Sequence, residues 1–146
     1  YQYEIKEGDL IISRGNVPQY VAACALVRKV RPKLMLSDLM FKVVWKEESP
    51  IMPEFLDEIL KIPHLRWQIE SCLTGTSPTM KKISKPALMA LRFPLPPLDI
   101  QERIISEIET KRREVSLLQD RANKNQNKVA REIEQMILGT RPLEVR

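Results

Sequence analysis

Few residues of this chain are equipped for catalysis. One histidine, His64, and two cysteines, Cys24 and Cys72, offer little from which to build a zinc site or a Ser-His-Asp triad. Neither cysteine lies in a paired metal spacing. The chain contains no Gly-x-Gly-x-x-Gly, no phosphate-binding loop and no Gly-x-Ser-x-Gly elbow. Glu-x-Lys occurs at 4–6 and 109–111, too short a pattern to signify a nuclease. Asp57 and Glu58 are adjacent carboxylates on a presumptive helix, without a His or Lys constellation around them, and are expected on a solvated face. Cys24, in an apolar stretch, and Cys72 are expected in the core. His64, after a helix-breaking Pro63, is expected to be structural or superficial. No catalytic residue, metal ligand or cofactor site is predicted.

The cations are more informative. Arg28, Lys29, Arg31 and Lys33 crowd one segment, and Lys81, Lys82, Lys85 and Arg92 another. No acid occurs between 71 and 98, and the second cluster follows GTSPT at 75–79, a run of small hydroxyl residues. Lysines beside hydroxyls and open backbone N–H groups are what phosphate contacts require. Arg14 and Asn16 are placed at the tip of a predicted strand; a guanidinium can donate two bonds to guanine and an amide can make a two-point contact with adenine. The net charge of +5 leans mildly toward a polyanion. The plain alternative is a solvated basic face with no ligand.

These groups must be carried by some scaffold. At 146 residues, 43% hydrophobic and 29% charged, the chain is one folded domain or a small domain with an appendage. No apolar run approaches the roughly 20 residues of a membrane span, and no basic-then-apolar leader precedes the first strand, so a cytoplasmic protein without membrane association is expected. The absence of an initial Met suggests a piece of something longer. Composition shifts at Pro94, Pro96 and Pro97. Before them, strands are predicted over 8–16, 21–27 and 40–45, helices over 53–62 and 65–73, and an extended segment over 85–95. After them, 98–138 holds neither Pro nor Gly, which predicts one long helix capped by Asp99 with Glu102, stopped by Gly139 and barred from continuing by Pro142. Ile104, Ile108, Val115, Leu118, Ala122, Val129 and Met136 fall on a heptad seam, widened by Ile105, Ile133 and Ile137 and interrupted by Lys111 and Asn125. Such a stripe needs a second helix, from the same longer chain or from a second copy. The predicted class is α+β: a mixed α/β domain over 1–97, a coiled-coil helix over 98–139 and a tail over 140–146.

GDLIISRGN at 8–16, VAACALV at 21–27, SD at 37–38, GTSPTMKKIS at 75–84 and LMALRFPLPPLDIQERI at 88–104 together resemble the specificity subunit of type I restriction-modification systems. The resemblance runs from about Ile5 to Leu138. It implies a non-catalytic subunit that recognises double-stranded DNA for methyltransferase (modification) and restriction subunits. Such a subunit carries two target recognition domains, each followed by a long helix; the paired helices set the gap between the halves of a split target. This chain resembles the later part of one recognition domain plus one spacer helix, with the opening part absent. Ser13, Arg14 and Asn16 match the strand-end motif, and Thr76, Ser77 and Lys81 the Gly-Thr-Ser loop; these are expected to face DNA, with Lys82 and Lys85 on phosphates. Gly8, Asp9, Gly75 and Ser77 equally suit turn building. Two other readings stand beside this one. One is a coiled-coil interaction module without DNA binding; the other is the recognition portion of a single-chain restriction-methylation enzyme.

Overall fold

The apolar run LIIS forms β1 (Leu10–Ser13), whose alternation buries Leu10 and Ile12 on one face. A tight turn precedes it: Gly8 adopts φ +87°, and Asp9 Oδ2 accepts the Lys6 N–H at 2.8 Å. After Arg14 the chain continues as β2 (Gly15–Asn16). β3 (Cys24–Leu26) and β4 (Met40–Lys42) flank β1, both antiparallel, giving the order β3-β1-β4. Two helices follow, α1 (Pro53–Ile59) and α2 (Pro63–Ser71), then β5 (Lys81–Lys82), α3 (Lys85–Met89) and α4 (Leu98–Ile137). β5 pairs with β2 in a separate two-stranded ribbon. This computed structural model describes residues 3–140. It has the predicted α+β character, and its two compact units meet in sequence between Ile105 and Ser106.

The first unit closes around Leu10, Ile12, Phe55, Leu65, Ile69 and Ile83, all 5% exposed or less. Pro53 and Pro63 each begin a helix, where a missing N–H has no intrahelical partner to lose. Pro63 therefore starts α2 where a helix break was expected. The strand expected over 21–27 shrinks to its last part. Ala22 takes φ +57°, and the Arg66 guanidinium donates to the carbonyls of Val21 (2.7 Å) and Gln19 (3.2 Å); the backbone bends at 21–23, where the Ala22 N–H and the Ala23 carbonyl both bond Ser13 at 2.8 Å, two residues against one, so the regular ladder begins only at Cys24. The segment expected to be extended over 85–95 opens instead with α3. Ser84 Oγ accepts the Ala87 N–H at 3.2 Å, a side-chain cap, and Pro86 sits in the first turn, where its missing N–H costs nothing. Asp57 and Glu58 are not on a solvated face. Their side chains are 13% and 17% exposed, and Lys61 Nζ lies 2.7 Å from Asp57 and 3.5 Å from Glu58.

α4 spans 40 residues, about 60 Å at 1.5 Å per residue. Asp99 lies inside its first turn, not ahead of it; the Pro97 carbonyl accepts the N–H groups of Ile100 and Gln101, both at 3.0 Å. The far end closes as expected. Gly139 takes φ +69°, its N–H donates to Met136 O at 3.2 Å, and the Thr140 N–H reaches Gln135 O at 2.9 Å, a Schellman cap. Pro142 and the rest of the predicted tail lie outside the described residues. The first two turns belong to the first unit through buried Gln101 and Ile105. In the second unit the apolar stripe stays in solvent: Val115, Leu118 and Val129 are 52%, 62% and 52% exposed.

Candidate nucleic-acid interface

Two segments of the predicted site, some 65 residues apart in sequence, share one ribbon. Gly15 pairs with Lys82 and Asn16 with Lys81, and the Arg14 carbonyl accepts the Ile83 N–H at 3.0 Å. Ile83 is fully buried and anchors the crossing strand. At Gly15 a Cβ would stand 3.4 Å from both the Leu39 and the Lys82 side chains, at the edge of ordinary contact. The sequence of alternating exposure leaves the Arg14 side chain outward, its guanidinium 5.8 Å from the centroid of the Phe41 ring. Lys82 and Lys85 are exposed on the same run of chain.

The loop at 75–80 is tied to the ribbon. Thr74 and Lys82 exchange backbone bonds, each 2.9 Å, and Thr74 Oγ1 donates to Lys82 O. Gly75 adopts φ +113°, where any Cβ would come within 3.0 Å of the Met80 carbonyl. Ser77 Oγ accepts the Thr79 N–H and bonds the Thr79 hydroxyl at 3.1 Å. The Lys81 ammonium donates to Gly75 O at 2.6 Å. Gly75, Ser77 and Lys81 thus shape the loop, and Thr76 is exposed on it.

The predicted residues therefore divide. Arg14, Thr76, Lys82 and Lys85 present their side chains to solvent. Asn16 is half-buried and its Oδ1 accepts the Val17 N–H at 2.8 Å, which leaves its amide NH2 as the group to offer. Ser13 does not reach the surface: it is 6% exposed and its Oγ is buried without a partner, because it is the last residue of the central strand. The basic segment 28–33 is not brought here. It follows Val27, which bonds Gly8 and Asp9 at the opposite end of β1 from Arg14. Cys24 is inert. Burial, then the Asp57 charge and hydrogen bond, push its thiol up to about 12. Burial alone would lower the Lys61 pKa, but its hydrogen bond to Asp57 and the charges of Asp57 and Glu58 outweigh that and raise it.

Sequence reasoning missed the residue that joins helix to domain. Gln101 is fully buried; its Oε1 accepts the Met52 N–H at 2.9 Å, and its Nε2 donates to Pro50 O at 2.8 Å and Pro96 O at 2.7 Å. The signal was a polar residue at a position of the helix where the stripe calls for an apolar one. Gln68 does similar work, exchanging two bonds with the Arg92 backbone at 2.8 and 3.0 Å.

Over 108 residues the chain is 30% identical to the type I restriction enzyme EcoEI specificity subunit of Escherichia coli. It is similar to a specificity subunit. The matched residues make up 74% of this chain and 18% of that protein, so the chain corresponds to less than a fifth of its relative. No protein-family profile matches the chain. Among the described residues no helix is long and apolar enough to cross a membrane, and no cluster of His, Cys, Asp and Glu suits a metal ion.

Proposed function

We propose that the chain is a target recognition unit with its spacer helix, part of a non-catalytic specificity subunit that directs methyltransferase and restriction subunits to a split DNA site. The observation that carries this reading is the ribbon, which pairs 15–16 with 81–82 and so brings together the two distant chain segments that hold the exposed cations Arg14, Lys82 and Lys85. The similarity to a specificity subunit supplies what such an edge is for. Arg14, with the amide of Asn16, reads bases in the major groove, where each base pair shows its own donor and acceptor pattern. Lys82 and Lys85 neutralise phosphates and fix orientation without reading sequence. Thr76 contacts the backbone from the loop. The role of α4 is to set the distance to a second recognition domain, about 5.4 Å for each helical turn.

Selection of duplexes from a random pool by the 146-residue chain, followed by titration at several salt concentrations, tests this. Enrichment of one short half-site is expected. Lys82→Ala and Lys85→Ala should weaken binding on all sequences alike and each flatten the log K against log salt slope by about 1. Arg14→Ala should relax the preference at one base pair, at a cost of about 1–3 kcal/mol on the selected site. Salt-independent or undetectable duplex binding would favour a protein interaction module instead.

A further inference from the structure

The three-stranded sheet ends in an edge that nothing covers. Leu10, Ile12 and Arg14 bond β4: the Leu10 carbonyl accepts the Val43 N–H at 2.9 Å, and the Arg14 N–H donates to Leu39 O at 2.8 Å. In an antiparallel pair the intervening residues turn their N–H and C=O groups the other way. Those of Lys42 and Val44 therefore point off the sheet, where they have no backbone partner among the described residues.

An apolar cleft of about 650 Å³ runs along the same edge. Phe41, Val43 and Trp45 line it from the strand and the run after it, and Leu56, Leu88 and Met89 from α1 and α3. Native interiors hold few voids larger than a water molecule; this volume is that of a binding site, roughly 300–1,000 Å³. Trp45 Nε1 is buried without a partner, a donor that a finished core would pair. Exposure alternates along 43–46: Val43 and Trp45 are half-buried, whereas Val44, at 84%, and Lys46 are exposed. A strand laid against Lys42 and Val44 would satisfy their backbone groups and, by the same alternation, send every second side chain into the cleft.

We infer that this edge and cleft receive an extended segment of another polypeptide, apolar at every second residue and carrying a carboxylate opposite Lys46. A second copy of β4 does not fit. Antiparallel pairing of 42–44 with itself sets Lys42 opposite Lys42, Lys46 or Val44, and the first two put like charge on like charge. In every register the partner's Phe41, Val43 and Trp45 already line a cleft of their own and fill neither. The lining holds Lys42, Lys46 and Lys85 and no acid. Asp9 holds Lys42 at 3.2 Å, and Lys85 is assigned above to phosphate, which leaves Lys46 to select a carboxylate. None of this depends on whether the ribbon reads DNA.

The test uses the whole chain carrying Trp67→Phe, which leaves Trp45 as its one tryptophan, and the peptide acetyl-Glu-Leu-Thr-Val-Thr-Leu-Thr-amide. Laid antiparallel, the peptide sets Glu opposite Lys46, its leucines opposite Trp45 and Phe41, and its first two threonines opposite Val44 and Lys42, where they bond the edge. Saturable binding is expected, with a shift in Trp45 emission and slowed exchange of the Lys42 and Val44 amides. N-methylation of those two threonines should weaken binding at least about tenfold, whereas N-methylation of the valine, whose N–H points away from the edge, should change it little. Exchanging the peptide Glu for Lys should weaken binding, the difference fading in high salt. Val44→Pro removes an N–H that β1 does not use, so that chain should fold as the wild type does and lose the peptide. Equal binding of the two methylated peptides, or no protection at Lys42 and Val44 with about 1 mM peptide, overturns strand addition. A wild-type dimer that Val44→Pro dissociates overturns the choice of partner.

Discussion

Replacing Gln101 with Ala should detach the start of α4 from the domain it is built into. Three hydrogen bonds, of 2.7, 2.8 and 2.9 Å, disappear together. Each is worth about 1 kcal/mol net, and the side chain that remains cannot supply partners to the Met52 N–H or the Pro50 and Pro96 carbonyls. The buried volume is lost as well, so the total cost is roughly 2–4 kcal/mol. At about 4–8 °C per kcal/mol for a unit of this size, the thermal midpoint should fall by roughly 8–32 °C. Tryptophan fluorescence is the suitable probe, because Trp45 and Trp67 both lie in the first unit, whereas far-ultraviolet circular dichroism is dominated by α4. Gln101→Glu sharpens the test. Its carboxylate still accepts from Met52 but faces two carbonyl oxygens with no proton to give. It should therefore be more damaging than Ala at neutral pH and recover in acid, where the protonated form donates one bond. A midpoint for Gln101→Ala within about 2 °C of wild type would refute the clamp.

Lys81 and Lys82 are neighbours with different duties. Lys81→Met, losing the bond to Gly75 O, should loosen the 75–80 loop and accelerate hydrogen exchange there while leaving the salt slope of DNA binding nearly unchanged; Lys82→Met should do the reverse. Gly75→Ala should cost about 1–3 kcal/mol, from its φ of +113° and the close Met80 carbonyl, and should weaken DNA binding while the core stays folded by fluorescence. The Cys24 thiol keeps its proton to about 12 when folded, against an ordinary 9.0. Its contribution is therefore complete below pH 9 and is lost as pH rises toward 12, because the unfolded chain releases the proton first. Urea midpoints of wild type and Cys24→Ala should converge or cross over that range as the wild type loses stability faster, and a constant difference would exclude the effect.

Local chemistry was legible in the residues. Forty residues without Pro or Gly, ended by Gly139, read as a long helix, since no position breaks it and a residue with φ of +69° ends it. Pro53 at a helix start, the apolar run at 10–13 and the first part of the strand expected over 40–45 were readable for the same reason: each depends on neighbours within a turn or a strand. Where a distant group intervened, the reading failed. Arg66 reaches from α2 to bend 21–23, and nothing within that stretch announces a guanidinium from more than 40 residues away. Asp99 followed by Glu102 fits a cap pattern, yet the helix begins a residue earlier, where the Pro97 carbonyl serves.

The sequence by itself determined which side chains are available: the cations, the hydroxyl loop, the heptad stripe and its polar interruptions. Tertiary structure decided which of them meet. It paired 15–16 with 81–82, buried Ser13, turned Lys81 inward to its own loop and sent 28–33 to the other end of β1. The reason is that strand pairing joins residues by register across the sheet, and a shift of one residue would exchange the buried and exposed faces of every side chain in the ribbon.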